Sequence, residues 1–195
     1  MELKQNSNRC MILLHEIYGI NQHMQYYAKL LFKQNFDVYI PKLINIEEPF
    51  PYEEEERAYH HFIENKGFEN AYNQVTAIID DLSKKYKEVH IIGFSVGATV
   101  AWLCSNHENV QRVVGLYGSR IRQYLDIIPK SDTVLIYGEH EQSFEPKDLK
   151  HKLSKYTNVL VKIVEGEHGF ADPYSTEYNK RSADSILIYL TDYSD

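Results

Sequence analysis

Short apolar segments alternate along this chain with segments of helical periodicity, and this alternation constrains the fold more than any other feature. The apolar segments are rich in β-branched residues and cover residues 10–15, 36–40, 89–94, 112–118, 133–138 and 158–166. The segments between them repeat apolar residues at helical spacing. Apolar strands that alternate with helices are typical of a parallel sheet covered by helices on both faces. We therefore predict an α/β fold that binds its ligand at the carboxyl ends of the strands.

The chain length fits one domain. With 195 residues, the chain can bury roughly 70% of the surface that it exposes when unfolded. We expect residues 1–195 to form this domain, with a short irregular segment around residues 44–67 that covers a pocket. That segment contains four consecutive glutamates at residues 53–56, which suit a helix N-terminus, and several aromatic residues that suit a pocket roof.

Charge and cysteine content exclude several classes of protein. The formal net charge is −7 at pH 7, whereas nucleic acids and anionic membranes bind clustered Lys and Arg, so we expect neither partner. Two cysteines, Cys10 and Cys104, argue against a disulfide framework and a four-ligand zinc site. The N-terminal apolar run is too short for a signal peptide or a membrane span. We expect a cytoplasmic protein that acts on a small molecule. Whether it forms a homodimer is left open by the sequence.

The stretch GFSVG, residues 93–97, fits the G-x-S-x-G pattern of a nucleophile elbow. The pattern alone is weak because glycine and serine are common, but it also requires a strand, a sharp turn and a helix in this order. VHIIG before Ser95 has strand character, and GATVAWLC after it has helical character. A helix N-terminus at this point can stabilise an oxyanion. Ser95 is the predicted nucleophile, and a tight turn without function is the alternative.

A serine nucleophile needs a base, and the base needs an acid that orients it. In hydrolases with this elbow, the acid and then the histidine come after the serine along the chain. Glu139 and Glu141 come after one apolar strand, and His168 comes after the last one. All of them therefore lie at the same sheet edge as Ser95. The residues alone leave both glutamates open as the acid.

Other patterns do not support metal or nucleotide chemistry. His15 precedes a glutamate as in a zinc-protease helix, but Gly19 stands where the second histidine ligand would be. His60 and His61 are adjacent, and adjacent residues on a helix point in different directions, as in a surface pair. No glycine cluster has the spacing of a dinucleotide fingerprint. We expect no metal and no cofactor.

These stretches together resemble the dienelactone hydrolase family of α/β-hydrolases, from Met11 to about Pro173. LLHEIYGINQHMQYYAKLLFKQNFDVYIPKL is similar to the family's opening strand, turn and first helix. IIGFSVGATVAW resembles its nucleophile elbow, and RVVGLYG, YGEHEQSFEP and EGEHGFADP resemble its next strand, acid loop and histidine loop. The resemblance implies an α/β-hydrolase fold. As a departure from the family's full fold, we expect a reduced, mostly parallel sheet of about six strands flanked by helices, with the N-terminal hairpin missing.

The resemblance also implies the site, residue by residue. It assigns the nucleophile to Ser95, the acid to Glu141, the base to His168, and the oxyanion hole to the backbone amides of Ile17 and Val96. Glu16 matches a glutamate that lies beside the thiol in members with a cysteine nucleophile. Because the predicted nucleophile of this chain is a serine and not a cysteine, the role of Glu16 stays open.

The substrate pocket departs from the family pattern. Tyr59, Tyr117 and Arg120 are candidate pocket residues. Dienelactone-cleaving members hold the substrate carboxylate with arginines, and the corresponding positions here are Glu55 and Asp172. A pocket that recognises a carboxylate needs a fixed cation. We therefore expect uncharged substrates to be preferred.

The sequence as a whole predicts a serine hydrolase that cleaves a small carboxylic ester, a lactone or a related acyl substrate. Ser95 would attack, His168 would carry the proton, and Glu141 would orient the imidazole. One alternative is a non-catalytic hydrolase-like protein that binds a small ligand. Another is a peptidase or acyltransferase that uses the same three residues.

Overall fold

The fold is that of a computed structural model, and the structure describes residues 1–192. Its strands are β1 (Glu2–Leu3), β2 (Arg9–Leu14), β3 (Asp37–Tyr39), β4 (Glu88–Phe94), β5 (Arg112–Leu116), β6 (Asp132–His140) and β7 (Val159–Glu167). Its helices are α1 (Gln22–Phe32), α2 (Glu55–Asn65), α3 (Gly67–Leu82), α4 (Val96–Leu103), α5 (Pro146–Leu153) and α6 (Lys180–Thr191). Short 3₁₀ turns lie at Tyr52–Glu54, Cys104–Asn106 and Ser119–Gln123.

The strands form one sheet in the order β1-β3-β2-β4-β5-β6-β7. β1 pairs with β3 in the antiparallel direction, and every other pair is parallel. The predicted α/β architecture with a mostly parallel sheet is confirmed. The sheet has one strand more than the six predicted, because β1 is a two-residue edge strand that is too short to produce a sequence pattern.

Helices cover both faces of the sheet, as the apolar strands require. Alternate residues of β2 point to opposite faces, so that Ile12 packs in one core cluster and Met11 in the other. The first cluster includes Val75 of α3 and the second includes Leu31 of α1. A third cluster around Trp102 packs β6 and β7 against α5.

Strand register brings four strand ends to one edge. Leu14 of β2 pairs with Gly93 of β4, so the residues just beyond these two strands are neighbours. The pairing of β6 with β7 shifts at a bulge between Gly138 and His140, after which His140 lies opposite Glu167. Glu141 and His168 therefore come directly after paired residues at this same edge.

The segment around residues 44–67 contains regular structure. A 3₁₀ turn at Tyr52–Glu54 leads into α2, whose first turn contains Glu55 and Glu56. Gly67, with φ of 67°, begins α3 directly after α2. Among residues 1–192, no helix is both long enough and apolar enough to cross a membrane.

Candidate active site

Ser95 occupies a strained turn between β4 and α4. Its φ of 52° and ψ of −115° place a non-glycine residue in a region that L-residues rarely adopt. Its backbone N–H donates to the carbonyl of Leu116 at 2.9 Å, and its own carbonyl accepts from Thr99 at 3.2 Å. Backbone strain of this kind persists where the surrounding structure enforces it, and it is concentrated at functional sites.

The two glycines of the elbow are required by space. A Cβ on Gly93 would lie 2.3 Å from the Gly97 carbonyl oxygen. A Cβ on Gly97 would lie 2.4 Å from the carbonyl oxygen of Leu14, where β2 ends. Any side chain at either position would therefore push the elbow away from its neighbours.

His168 connects Ser95 to a buried carboxylate. Its Nε2 lies 3.0 Å from Ser95 Oγ, and its Nδ1 lies 2.9 Å from Glu141 Oε2. An ionised carboxylate can only accept, so Nδ1–H donates to Glu141, and the unprotonated Nε2 can accept from the hydroxyl. The Glu141 side chain is 1% exposed, and Glu139 is 47% exposed beside His140. Of the two candidate acids, Glu141 is the one that contacts His168.

The environment of His168 raises the pKa of its imidazole. Burial by itself lowers the pKa of the imidazole, but the hydrogen bond and charge of Glu141 outweigh it. The charges of Glu16 and Glu55 act in the same direction. The pKa of His168 therefore lies above its ordinary value, which suits a group that must take a proton from a hydroxyl.

Two backbone amides beside Ser95 are free to donate. Val96 is the first residue of α4, and the N–H groups of a first helical turn have no partner within the helix. Neither Val96 N–H nor Ile17 N–H donates to another group in the part of the chain that the structure describes. Both residues line the same cleft as Ser95 and His168. They are the amides that the family resemblance implied for an oxyanion hole.

His15 fixes the turn that carries Ile17. Its Nδ1–H donates to the Glu16 carbonyl at 2.6 Å, and its Nε2 accepts from Leu43 N–H at 2.9 Å. Burial lowers the pKa of His15 to about 4. A neutral, fully buried imidazole therefore connects the end of β2 to the chain after β3.

The cleft above Ser95 has a cavity volume of about 510 Å³. Its carboxylates are Glu16, Glu53, Glu55, Glu141, Glu167, Asp172 and Glu177. Its guanidinium groups are Arg120 and Arg122, and its tyrosines are Tyr18, Tyr52, Tyr59 and Tyr174. Arg57 lies outside it, paired with Glu54 at 2.5 Å and 73% exposed. The lining is therefore strongly acidic.

Tyr59 and Arg120, two of the candidate pocket residues, line this cleft, and they contact each other through the Tyr59 hydroxyl. Tyr117 does not line the cleft, which corrects its prediction as a pocket residue. It is fully buried, and its ring centroid lies 4.9 Å from that of His168 and 5.7 Å from that of Phe170. Tyr117 lies just beyond the end of β5 with φ of 43°, and its side chain packs in the core below the imidazole.

No sequence pattern pointed to His23, a buried residue of α1. One ligand atom each of Glu16, His23 and Asp172 lies within 4.8 Å of the others, and all three side chains are buried. A histidine and two carboxylates form a chemically suitable set of ligands for a metal ion. The three residues lie far apart in the sequence, and no spacing pattern connects them.

Comparison with known proteins identifies relatives over nearly the whole chain. The model of the dienelactone hydrolase family matches residues 2–192. The uncharacterized protein YczH of Bacillus subtilis (strain 168) is 34% identical over 171 residues, which are 87% of this chain and 84% of YczH.

Solved structures share the fold at low sequence identity. A dienelactone hydrolase candidate from Klebsiella pneumoniae has a TM-score of 0.75 at 17% identity and covers 97% of this chain and 90% of its own. P91, a dienelactone hydrolase-like promiscuous phosphotriesterase from metagenomic libraries, has a TM-score of 0.73 at 14% identity. The match covers 96% of this chain and 86% of P91. An α/β serine hydrolase homologue from Coxiella burnetii has a TM-score of 0.69 at 11% identity. The match covers 98% of this chain and 88% of the Coxiella protein.

Proposed function

Because the chain belongs to the dienelactone hydrolase family and is a hydrolase of the α/β fold, we propose that it cleaves small carboxylic esters, lactones or related acyl compounds with Ser95 as nucleophile. One observation carries this proposal. The hydroxyl of Ser95, the imidazole of His168 and the carboxylate of Glu141 form a continuous hydrogen-bonded series at the floor of an open cleft.

The first half of the reaction forms an acyl-enzyme. Ser95 Oγ attacks the acyl carbon while His168 Nε2 takes the hydroxyl proton, and Glu141 stabilises the resulting imidazolium. The carbonyl oxygen becomes an oxyanion that accepts hydrogen bonds from the amides of Ile17 and Val96. When the tetrahedral intermediate collapses, the bond to the leaving alcohol breaks, and His168 gives its proton to that oxygen.

The second half releases the acid. A water molecule attacks the acyl carbon while His168 takes one of its protons. The second tetrahedral intermediate collapses by breaking the bond to Ser95 Oγ, which recovers its proton from His168. The products are a carboxylic acid and the free enzyme, so each turnover consumes one water.

A fluorophosphonate probe tests this proposal, because it reacts with an activated serine and not with an ordinary one. We expect the wild-type protein to incorporate one equivalent on the peptide that contains Ser95 and to hydrolyse p-nitrophenyl esters. Ser95→Ala should lose both the label and the hydrolysis. Ser119→Ala and Ser143→Ala are matched controls, because these serines line the same cleft, and both should keep the label.

Two results would contradict the proposal. Label that persists in Ser95→Ala would show that another residue reacts. A folded wild-type protein that neither takes the label nor cleaves any ester would favour the non-catalytic binding protein.

A further inference from the structure

Three buried ionisable side chains meet beside the proposed nucleophile without forming ordinary hydrogen bonds to one another. Glu16 lies just beyond β2, His23 lies in the first turn of α1, and Asp172 lies beyond β7. Their exposed fractions are 6%, 0% and 1%. His23 Nδ1 lies 3.5 Å from Glu16 Oε2 and 3.5 Å from Asp172 Oδ2. The imidazole is therefore equidistant from two carboxylates.

Hydrogen bonding does not account for the position of His23. Neither of its ring nitrogens has a hydrogen-bond partner within residues 1–192. Buried polar groups are nearly always paired, and leaving one unpaired is costly. The ring is held by edge contacts with Phe94 at 4.5 Å and Tyr27 at 5.2 Å between centroids. Packing thus fixes Nδ1 between two carboxylate oxygens.

Charge leads to the same conclusion as geometry. Two ionised carboxylates would place two negative charges in a buried space, where uncompensated charge is expensive. A divalent cation bound to all three groups would make the sum of their charges zero.

We propose that Glu16, His23 and Asp172 form a binding site for a divalent transition-metal ion, with Zn²⁺ as the preferred ion. Ligand atoms at about 2.0–2.2 Å from a tetrahedral Zn²⁺ are separated from one another by about 3.3–3.6 Å. The two separations of 3.5 Å from His23 Nδ1 agree with that value. A nitrogen ligand favours zinc over magnesium or calcium, which prefer oxygen ligands alone.

The groups around the site would orient the ligands. Asp172 Oδ2 accepts from the Tyr52 hydroxyl at 2.5 Å, and its Oδ1 accepts from Tyr174 N–H at 2.8 Å. Tyr27 donates to the Ala171 carbonyl at 2.8 Å, which ties α1 to the loop that carries Asp172. Hydrogen bonds of this kind fix the orientation of metal ligands.

The site has a route to solvent and a place for a further ligand. Glu16 and Asp172 both line the cleft that contains Ser95. Three protein ligands leave the fourth tetrahedral position to water or to a molecule in the cleft. The bound ion would also stabilise the turn that presents the Ile17 amide. The inference goes beyond the proposed function, and metal binding can be measured without any substrate.

Titration calorimetry with ZnCl₂ on the chelator-treated protein tests the site. We expect one equivalent to bind to the wild type and to raise the unfolding temperature, because the ion binds the folded state. MgCl₂ should bind at least about 100-fold more weakly, in line with the nitrogen ligand. CoCl₂ should give a visible absorption spectrum that added Zn²⁺ abolishes.

Variants locate the ion. Glu16→Gln, His23→Gln and Asp172→Asn each remove one ligand at similar shape, and each should weaken Zn²⁺ binding at least about tenfold. Glu55→Gln is the matched control in the cleft, and His60→Gln is the control for surface histidines; both should bind as the wild type does. Thermal unfolding of each metal-free variant in the presence of chelator shows whether that variant folds. If a variant does not fold, the Co²⁺ spectrum of the wild type still tests the site.

The proposal fails if the folded wild type binds less than one equivalent of Zn²⁺. It also fails if the three ligand variants bind Zn²⁺ as tightly as the wild type, since the ion would then lie at surface histidines. In either case the three side chains form a metal-free buried ionic cluster. Both outcomes leave the labelling of Ser95 by fluorophosphonate unaffected, so the two proposals fail separately.

Discussion

Two glutamates that are two residues apart differ in partner and in burial. Side chains two residues apart in a regular strand point to the same face, so Glu139 and Glu141 would be equivalent in an unbroken β6. The bulge between Gly138 and His140 changes the direction of the chain at this point. Glu141 then faces His168, whereas Glu139 faces solvent. The residues alone could not make this choice, because it depends on how β6 pairs with β7 at the bulge.

Exchanging each glutamate for glutamine tests the assignment of the acid. Glu141→Gln should lower kcat for p-nitrophenyl esters by about 100-fold or more, because an amide does not hold the imidazole in the required tautomer. Glu139→Gln should leave kcat within about twofold, as expected of an exposed side chain. Circular dichroism would confirm that both variants fold. A larger loss in Glu139→Gln would show that the wrong carboxylate had been assigned.

The buried His15 makes a second residue-scale prediction, which concerns stability against pH. Its pKa is about 4 in the folded protein, against an ordinary value of 6.5 in the unfolded chain. The unfolded chain therefore binds the proton first, and stability falls as the pH drops from about 6.5 towards 4. This group should lower the free energy of unfolding by about 2 kcal/mol between pH 7 and pH 5.

His15→Gln is the comparison for that measurement, because glutamine both donates and accepts but does not titrate. Urea denaturation at pH 7 and pH 5 would give, for each protein, the change in the free energy of unfolding between the two pH values. We expect the variant to lose less stability than the wild type when the pH falls from 7 to 5. Equal losses would show that His15 does not titrate between these pH values.

At the scale of elements, the sequence predicted those that are buried or capped in a regular way. Strands β2 to β7 could be recognised because their apolar residues are continuous, and α1 because Asn21 caps it by accepting from Met24 N–H. The β1 strand could not be recognised, since two residues produce no pattern. The boundary between α2 and α3 depends on Gly67, whose positive φ a sequence does not reveal.

Two glycines separate the effect of space from the effect of backbone conformation. A Cβ on Gly97 would lie 2.4 Å from the Leu14 carbonyl and 2.7 Å from the His15 carbonyl. Gly97→Ala should therefore lower the free energy of unfolding by about 3 kcal/mol or more, because backbone must move.

Gly67→Ala is the matched control for that substitution. At Gly67, an added Cβ would have no other heavy atom within 4 Å, but the backbone φ is positive. Gly67→Ala should therefore lower the free energy of unfolding by about 1 kcal/mol. Chemical denaturation of both variants measures the difference. Equal losses would mean that the elbow has room for a side chain.

At the scale of the whole molecule, the parallel sheet explains how much of the site could be predicted. Ser95, Glu141 and His168 each lie just beyond the carboxyl end of a strand, and parallel strands bring these ends to one edge of the sheet. His23 could not be predicted, because it reaches the site from α1 and its position depends on how that helix packs on the sheet. Tyr117 lies beyond a strand end as well, but its backbone conformation directs the side chain into the core.

The charge of the cleft is also a property of the whole molecule, since its lining comes from several loops. Seven carboxylates face two guanidinium groups in the cleft, and the chain carries a net charge of −7. Arg57 cannot offset this from its exposed position outside the cleft. Arg120 does line it, but its guanidinium already contacts the Tyr59 hydroxyl. A substrate carboxylate would therefore meet a negative field with few free cations.

Paired substrates test that field. We expect an uncharged ester to be cleaved at least about tenfold better, by kcat/KM, than a matched ester that carries a carboxylate, a difference of about 1.4 kcal/mol. Added salt should narrow the gap, because it screens the charges of the cleft. Arg120→Gln should change the ratio little, and Arg57→Gln, outside the cleft, is its control. Efficient cleavage of the carboxylate ester that is lost in Arg120→Gln but not in Arg57→Gln would show that Arg120 binds the anion and outweighs the surrounding carboxylates.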